Sequence, residues 1–433
     1  MERRMRVGTL AIGLALLFVL GAGTVVQAQM SLEERVQRLE ESVKMDESKN
    51  MEALWRNGLR LRTLNKDVEI RIGGRIQNDW NFIRPSDDIE DAFFVDDEGS
   101  LDEPLDRIFF RRSRIYIRGT LHKYIRFKAE YDFAGGSVSW TDVYLRFVKL
   151  PAFGNIYVGK FKAPFGLEEL TSSRFITFQE RSLTDAFVPG RQVGVLFKNS
   201  VMDKRLHWAF SMTRGDDNGT VDSYTDSPDN NFTFRLAATP YQASKTQLVH
   251  VGLAYHLQME EGFRFRARPE ARTKSVRLVD VRGDSDRVDQ IGLEGALVYG
   301  PISLQGEYMM ATPDVPGTDH PTFSAQYVMA SYFLTGESRP YSGGAFGRPK
   351  PKRKFDLKKG TLGAVELAAR MSKIDLSNGA FEGGDERNFS VGVNWYPHNN
   401  ARVTFNYVAA YLDRGDIDDE LASIVSIRFQ VDF

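Results

Sequence analysis

Arginine occupies every second position in one segment of the chain, at Arg264, Arg266 and Arg268, with apolar residues between. In an extended chain, alternate side chains point the same way at a spacing of about 6–7 Å. Three guanidinium groups would therefore share one face. Each guanidinium matches phosphate oxygens with paired hydrogen bonds, and evenly spaced sites let an ion leave as well as bind. The pattern favours a surface along which anions move.

Basic residues cluster in other segments too, and one segment is acidic. Residues 335–360 carry eight Arg and Lys residues against Glu337 and Asp356. Residues 80–108 are rich in Asp and Glu; they could repel anions, bind divalent cations or join subunits. An alternative for each arginine is an ion pair with such carboxylates. Further candidate anion-binding residues are Arg272, Arg112, Arg114, Lys160 and Lys162.

Residues for covalent or metal chemistry are scarce. The chain has no cysteine and six histidines, and Gly-x-Ser-x-Gly is absent. A hydrolase needs a nucleophile, a base and an orienting acid, and no such set is evident beside the histidines. We therefore predict no catalytic residues, no metal site and no cofactor.

The first residues are typical of an export signal. Arg3, Arg4 and Arg6 precede an apolar run that ends at Val26-Gln27-Ala28, which predicts a signal peptide over residues 1–28. An uncleaved membrane anchor is the alternative. No later apolar run approaches twenty residues, so a helical membrane protein is excluded. Export also argues against nucleic acid as a partner of the basic segments.

Alternation of apolar and polar residues predicts sixteen antiparallel strands, each about ten residues long, which suits a tilted crossing of a thin membrane. The final strand alternates Val425, Ile427 and Phe429 with polar residues and ends on Phe433. The predicted strands are 68–79, 109–119, 123–133, 140–149, 154–163, 192–199, 205–213, 231–239, 246–257, 288–299, 301–311, 323–334, 361–374, 388–396, 401–411 and 421–433. The fold class predicted is all-β, a transmembrane outer-membrane β-barrel over residues 66–433.

An even number of strands puts both ends of the barrel on the periplasmic side, with short inner turns and long outer loops. The predicted long loops are 80–108, 164–191, 214–230, 258–287 and 375–387. Segment 335–360 is the exception, because it should be a short inner turn. Arginine facing lipid would cost about 2–4 kcal/mol near the midplane, so the basic residues are expected to face the lumen, where they concentrate anions.

Residues 29–65 are predicted to form a periplasmic helical segment. Leu32, Val36, Leu39 and Val43 follow the spacing of a two-heptad coiled coil, which is too short to be stable alone. The short helix would either associate with copies of itself or lie on the base of the barrel.

Five motifs give the chain a resemblance to the phosphate-selective porin O and P family over residues 68–433. They are FRRSRIY at 110–116, VGKFKAPFGLE at 158–168, FRARPE at 265–270, YFLTGESRPY at 332–341 and VGVNWY at 391–396. The resemblance implies a trimer of sixteen-stranded barrels that conducts anions passively, with phosphate or pyrophosphate favoured. It also implies a pore narrowed by segments 164–191, 258–287 and 335–360.

The same resemblance places an arginine ladder at Arg264, Arg266, Arg268 and Arg272, and constriction residues near Arg111, Arg112, Lys160 and Lys162. Arg111 falls on the lipid phase of its strand by simple alternation. Either a bulge turns it inward or it does not line the pore.

The expected function is thus an anion-selective porin of the bacterial outer membrane, with inorganic phosphate or other small anions and membrane lipid as partners and a homotrimer as the assembly. General diffusion, or a structural role that tethers the envelope, is the alternative.

Overall fold

The computed structural model describes residues 32–55, 58–95, 105–214, 230–259, 261–272, 276–317 and 320–433. The predicted signal peptide, residues 1–28, lies outside the described residues, as does part of the acidic segment, residues 96–104. The first element is helix α1 (Leu32–Lys49), and a hairpin of β1 (Met51–Trp55) and β2 (Leu59–Thr63) follows it.

Sixteen antiparallel strands form a closed barrel, as predicted. The last strand pairs with the first along eleven residues, from Ala422 opposite Pro85 to Asp432 opposite Arg75. Closure leaves no free edge, so the backbone hydrogen bonds are satisfied within the wall. The barrel strands are β3 (Glu69–Pro85), β4 (Arg107–His122), β5 (Ile125–Asp132), β6 (Ser139–Leu150), β7 (Gly154–Lys162), β8 (Arg191–Val201), β9 (Leu206–Arg214), β10 (Asn230–Ser244), β11 (Gln247–Gln258), β14 (Val288–Tyr299), β15 (Ile302–Pro313), β16 (Phe323–Phe333), β19 (Ala364–Asn378), β20 (Phe381–His398), β21 (Ala401–Arg414) and β22 (Ile417–Asp432).

Short elements lie in the connections between barrel strands. Two are hairpins and three are helical turns. They are β12 (Phe263–Ala267) with β13 (Val279–Gly283), β17 (Tyr341–Ser342) with β18 (Ala345–Phe346), helix α2 (Asp87–Phe93), helix α3 (Leu167–Leu170) and a 3-10 helix (Leu183–Phe187). Among the described residues, no helix has the length and apolar character needed to cross a membrane.

Side chains alternate between the two faces of the wall. On β22, Phe429 and Val431 are each 44% exposed on the outer face, whereas Arg428 is fully buried on the inner face. This is the alternation expected of a strand with lipid on one side and a polar interior on the other. Outward-facing aromatic residues such as Tyr299 and Tyr332 lie near the rim, which is typical of the membrane interface in such barrels.

Two sequence predictions differ from the structure. The predicted long loop 375–387 is a tight turn, because β19 and β20 remain paired as far as Asn378 and Phe381. Segment 29–65 was predicted as helical, yet it also contains the hairpin of β1 and β2, and β2 pairs with the start of β3. Leu59 and Leu61 alternate with arginines, a strand pattern too short to be recognised as a membrane crossing.

Three connections determine what fills the barrel: loop 163–190, loop 259–287 and turn 334–363. The main apolar core lies where the two loops meet the inner wall, and it contains Phe187, Phe263, Phe265 and Phe323. The Phe187 and Phe265 ring centroids are 4.8 Å apart, and those of Phe263 and Phe323 are 5.7 Å apart. This packing holds both loops inside the barrel.

Candidate functional site

The arginine-rich segment forms strand β12 of the hairpin in loop 259–287. Phe263 and Phe265 on one face of β12 are each 5% exposed and pack on the wall. Arg264 and Arg266 on the other face are exposed. The apolar face of the hairpin thus fixes the direction in which these arginines point.

A β-bulge brings Arg111 into the interior. Arg112 lies opposite Gln77 and Phe110 lies opposite Asn78, so Arg111 is an extra residue with no partner in the register of β3 and β4. Such an inserted residue re-aims the side chains around it. Of the two alternatives that the sequence left open for Arg111, the structure shows the bulge.

The Arg111 guanidinium reaches the carboxylate of Glu180 in loop 163–190. Its Nε donates to Oε1 at 2.8 Å and its Nη2 donates to Oε2 at 2.9 Å. Arg112 also faces inward and is 4% exposed, and its Nη1 donates to Gln77 Oε1 at 3.0 Å. The bulge therefore places two consecutive arginines inside the barrel.

Arginines from β4, loop 163–190 and loop 259–287 line one cavity of about 170 Å³, called here the arginine cavity. Six arginines face three carboxylates there. The arginines are Arg111, Arg181, Arg266, Arg268, Arg272 and Arg277, and the carboxylates are Glu180, Asp185 and Glu270. Four of these arginines were predicted site residues, whereas Arg181 and Arg277 were not.

The other predicted residues lie outside the arginine cavity. Arg264 borders a larger neighbouring cavity of about 840 Å³, which Arg266 also lines. Its guanidinium forms a two-point ion pair with Asp280, with Nε 2.9 Å from Oδ1 and Nη2 2.5 Å from Oδ2. Arg114 pairs with Asp132 at 2.6 Å and with Glu130 at 3.2 Å.

Lys160 and Lys162 lie at the end of β7, in the barrel wall, and do not line the arginine cavity. Lys162 Nζ lies 3.1 Å from Glu169 Oε1 in loop 163–190. Lys160 is 7% exposed although Val158, two residues earlier, is 44% exposed. Gly159 lies between them with a φ of +129°, a backbone conformation that interrupts the regular alternation.

Crowding of like charges shapes the electrostatics of the arginine cavity. Burial, and then the charges of Arg272 and Arg277, lower the pKa of Arg268. Burial, and then the charge of Arg266, lower the pKa of Arg277 to about 10. Arg266 and Arg272 have no carboxylate within ion-pair distance among the described residues. An anion bound among these groups would relieve the repulsion.

A buried carboxylate anchors loop 259–287 to the wall. Glu270 Oε2 accepts a hydrogen bond from Arg370 Nη2 at 2.6 Å and another from Ser390 Oγ at 2.7 Å. Both side chains of the Arg370–Glu270 pair are 1% exposed. The FRARPE motif thus ends in the residue that fixes the position of its arginines.

Arginines of the barrel wall hold loop 163–190 in place. They were not among the predicted site residues. Arg402 Nη1 donates to the carbonyl oxygen of Ile176 at 2.6 Å, and Arg428 pairs with Asp79 at 2.6 Å and with Glu180 at 2.7 Å. Arg370, Arg402 and Arg428 are all fully buried. Their places on the polar phase of β19, β21 and β22 were a signal that could have found them.

Turn 334–363 enters the barrel from the other end and meets loop 163–190. The Arg339 guanidinium lies 3.8 Å from the ring centroid of Phe346, and Phe346 N donates to Thr171 Oγ1 at 3.3 Å. Arg348 forms a two-point ion pair with Asp432. The length of this turn, unexpected for an inner connection, is used to fill the lumen.

This arrangement can hold a small anion by charge and by guanidinium hydrogen bonds. The volume of the arginine cavity matches the share of about five or six water molecules in the liquid, which is room for a four-oxygen anion. Within the described parts of the chain, no group of three or more His, Asp or Glu residues could hold a metal ion.

Comparisons with known proteins agree with the fold. The family model described as phosphate-selective porin O and P matches residues 70–433. Porin O of Pseudomonas aeruginosa is 26% identical over 404 residues, which cover 83% of this chain and 86% of that protein. An uncharacterized protein of Caulobacter vibrioides is 29% identical over 345 residues, covering 75% of this chain and 68% of that protein.

Solved barrels share the architecture at low sequence identity. An anion-selective porin from Comamonas acidovorans superposes with a TM-score of 0.53 at 12% identity, covering 85% of this chain and all of that one. The channel DcaP of Acinetobacter baumannii superposes with a TM-score of 0.53 at 13% identity, covering 85% of this chain and 98% of that one. The trimer form of OmpT from Vibrio cholerae superposes with a TM-score of 0.52 at 12% identity, covering 85% of this chain and 100% of that one.

These findings place the barrel in the bacterial outer membrane, among channels rather than enzymes. Since the family model spans the whole barrel, the chain belongs to the phosphate-selective porin O and P family.

Proposed function

We propose that this porin lets anions diffuse passively across the outer membrane, with phosphate or polyphosphate favoured at the arginine cavity. The observation that carries the proposal is the excess of six arginines over three carboxylates where loops 163–190 and 259–287 approach the bulge of β4. Positive charge within low-dielectric walls focuses the field and raises local anion concentration. The larger neighbouring cavity is lined by only three arginines.

Two features of the cavity suit transport rather than permanent binding. Arg266 and Arg272 are not neutralised by a carboxylate among the described residues, so they remain available to a passing anion. Glu180 and Asp185 lie within the same wall and weaken the hold on that anion. Conduction requires binding that is favourable enough for entry and weak enough for release.

A route into the cavity follows from Arg266. This residue lines both the arginine cavity and the larger cavity beside it. The larger cavity also holds Arg264 and Arg282, which the carboxylates of Asp185, Glu261 and Asp284 balance. An anion that reaches the larger cavity would thus meet Arg264, then Arg266, and then Arg268 and Arg272. The alternating spacing along β12 sets the distance between the first two steps.

Phosphate preference rests on guanidinium geometry and on the relatives. Planar guanidinium groups form paired hydrogen bonds with phosphate oxygens, and the matching family is described as phosphate-selective. A general-diffusion pore is the alternative, and the ion pairs of Arg111 and Arg264 favour it because they reduce the free positive charge.

Phosphate block of chloride current distinguishes a phosphate-preferring pore from a general-diffusion pore. The protein is inserted into planar bilayers in potassium chloride, and phosphate or, as a matched control, sulfate is added. We expect phosphate to block at lower concentration than sulfate, because its hydroxyl groups can donate to Glu180 and Asp185. Equal block by the two anions would leave a general anion pore, and no block by either would refute the proposed site.

We also propose that the protein is a homotrimer to which helix α1 contributes. Leu32, Val36, Leu39 and Val43 are between 47% and 77% exposed, so this seam does not pack on the base of the barrel. An apolar seam with heptad spacing is suited to association with copies of itself. Light scattering of the purified protein should give three chains, and Leu39→Glu should weaken a trimer; a monomeric wild type would refute the assembly.

A further inference from the structure

Part of turn 334–363 leaves the lumen and lies against the outside of the barrel. The ring of Phe355 meets Trp395 edge to face, with centroids 5.4 Å apart. Trp395 Nε1 donates to the carbonyl oxygen of Leu362 at 2.6 Å, and Phe355 N donates to that of Pro397 at 2.8 Å. Trp395 is on the same outward phase as the exposed Val393. Residues 350–362, called here the rim segment, thus cross the rim and reach the face that lipid covers.

The rim segment presents two apolar side chains outward. Asp356 and Thr361 pair through both backbone hydrogen bonds, of 2.9 and 3.1 Å, which closes a tight turn. Leu357 at this turn is 82% exposed, and Leu362 just after it is 66% exposed. Both are far more exposed than an apolar residue packed on the barrel.

Cations surround those leucines. The rim segment carries six basic residues and one acidic residue, Asp356. Lys359 lies 3.4 Å from the Asp356 carboxylate, and Lys352 Nζ donates to the carbonyl oxygen of Gly336. The other four are Lys350, Arg353, Lys354 and Lys358, and all are exposed.

The position of the rim segment identifies what covers it. Trp395 lies beside the outward aromatic belt of the short-turn end, where Tyr332 is 45% exposed. Aromatic residues at this level mark the boundary between lipid tails and headgroups. Apolar side chains beside lysines at that depth match a phospholipid, with its acyl chain against the leucines and its phosphate against the ammonium groups.

We propose that the rim segment is a binding site for anionic phospholipid of the periplasmic leaflet. Leu357 and Leu362 insert among the acyl chains, while Lys354, Lys358 and Lys359 hold the headgroup phosphates. Bound lipid holds turn 334–363 at the rim and so supports the part of the same turn that contacts loop 163–190 inside the barrel. The site is separate from the arginine cavity and does not depend on the anion that the pore conducts.

A single-cysteine label tests the proposal, because the chain has no native cysteine. Leu357→Cys is labelled with an environment-sensitive fluorophore and placed in nanodiscs of phosphatidylglycerol or of phosphatidylcholine. Quenching by lipids with a spin label near the headgroup reports depth. We expect quenching at least twofold stronger in phosphatidylglycerol than in phosphatidylcholine.

Charge variants give the control. Lys354→Gln, Lys358→Gln and Lys359→Gln together should abolish the difference between the two lipids. An equal loss of charge on short turns at the same end, Lys123→Gln, Lys149→Gln and Arg205→Gln, should leave it intact. Heat-dependent gel mobility confirms that each barrel is folded.

Three outcomes would overturn the proposal. The first is a label that remains in water in both lipids, and the second is equal behaviour of the two triple variants. The third is loss of the difference on adding millimolar inorganic phosphate, which would mean that the rim segment collects free anions rather than lipid.

Discussion

Removing one unpaired cation from the arginine cavity should weaken phosphate binding by a predictable amount. Arg266→Gln keeps a polar side chain of similar length on β12, whose apolar face still packs on the wall. A unit charge 4 Å from an anion contributes about 1 kcal/mol at the dielectric constant of water and about 4 kcal/mol at an effective value of 20. For a narrow but wet cavity, about 2 kcal/mol is a reasonable middle value.

That energy corresponds to a roughly 30-fold rise in the phosphate concentration that half-blocks chloride current, since about 1.4 kcal/mol is a factor of ten. The assay is single-channel recording in planar bilayers, with phosphate titrated into potassium chloride. Chloride conductance should fall as well, but by less, because chloride has no four-oxygen surface for several guanidinium groups to share.

Arg264→Gln is the matched control on the same strand. It removes the same charge from a side chain that is 46% exposed and paired with Asp280. Arg264 lines only the larger neighbouring cavity, where water screens its charge from an anion in the arginine cavity, so we expect less than a threefold change in phosphate block. The reasoning is refuted if Arg266→Gln leaves the half-blocking concentration unchanged, or if the two variants have equal effects.

Three further predictions concern the loops and the charge of the cavity. Glu270→Gln should leave Arg370 without its closest buried partner, at a cost of about 3–5 kcal/mol, and limited proteolysis should then cut loop 259–287 faster in the folded barrel. Desolvation by the surrounding loops raises the pKa of Asp185 to about 6, although half of its side chain is exposed and Arg181 opposes the shift; its protonation between pH 7 and 5 adds one net positive charge, so chloride-over-potassium selectivity should rise on acidification, and Asp185→Asn should abolish that rise. Arg348→Ala should free turn 334–363 from Asp432 and increase current noise with little change in phosphate block, whereas unchanged noise would mean that the turn is held elsewhere.

The strands of the barrel were predictable from the two-residue period of apolar and polar residues. In a wall with lipid on one side, this period assigns each apolar residue to the lipid face and each polar residue to the interior. On β22, the alternation of Val425, Ile427 and Phe429 with polar residues is present in the sequence and in the structure. The same reasoning predicted that the arginines of β12 share one face, since phenylalanine and arginine alternate there. Local pattern is enough where one rule applies to every residue.

Pairing between distant residues was not predictable in this way. Arg111 and Arg428 share one partner, Glu180, which lies in a loop that folds back into the lumen. At Arg111 the broken alternation left a bulge as only one of two alternatives, and no residue pattern marked the +129° φ at Gly159. Sequence showed where positive charge was available, and the folded loops decided which arginines a carboxylate neutralises.

The positions at which strands end near the loops were also not predictable from the sequence. Residues 375–387 were predicted to be a long outer loop, and Gly379, Gly383 and Gly384 are of a type common in turns. In the structure β19 and β20 pair across this region, with a register shift between Asp375 and Ser377. Hydrogen bonding between neighbouring strands, which composition does not reveal, extends the wall beyond the membrane-spanning alternation.

The reversal potential in a potassium chloride gradient tests the central claim most directly. With purified protein in a planar bilayer and a tenfold salt gradient, six arginines against three carboxylates predict a potential of the sign set by chloride, close to that of an anion-selective membrane. A potential of the opposite sign, set by potassium, would contradict the account of a cationic constriction, whatever the conductance.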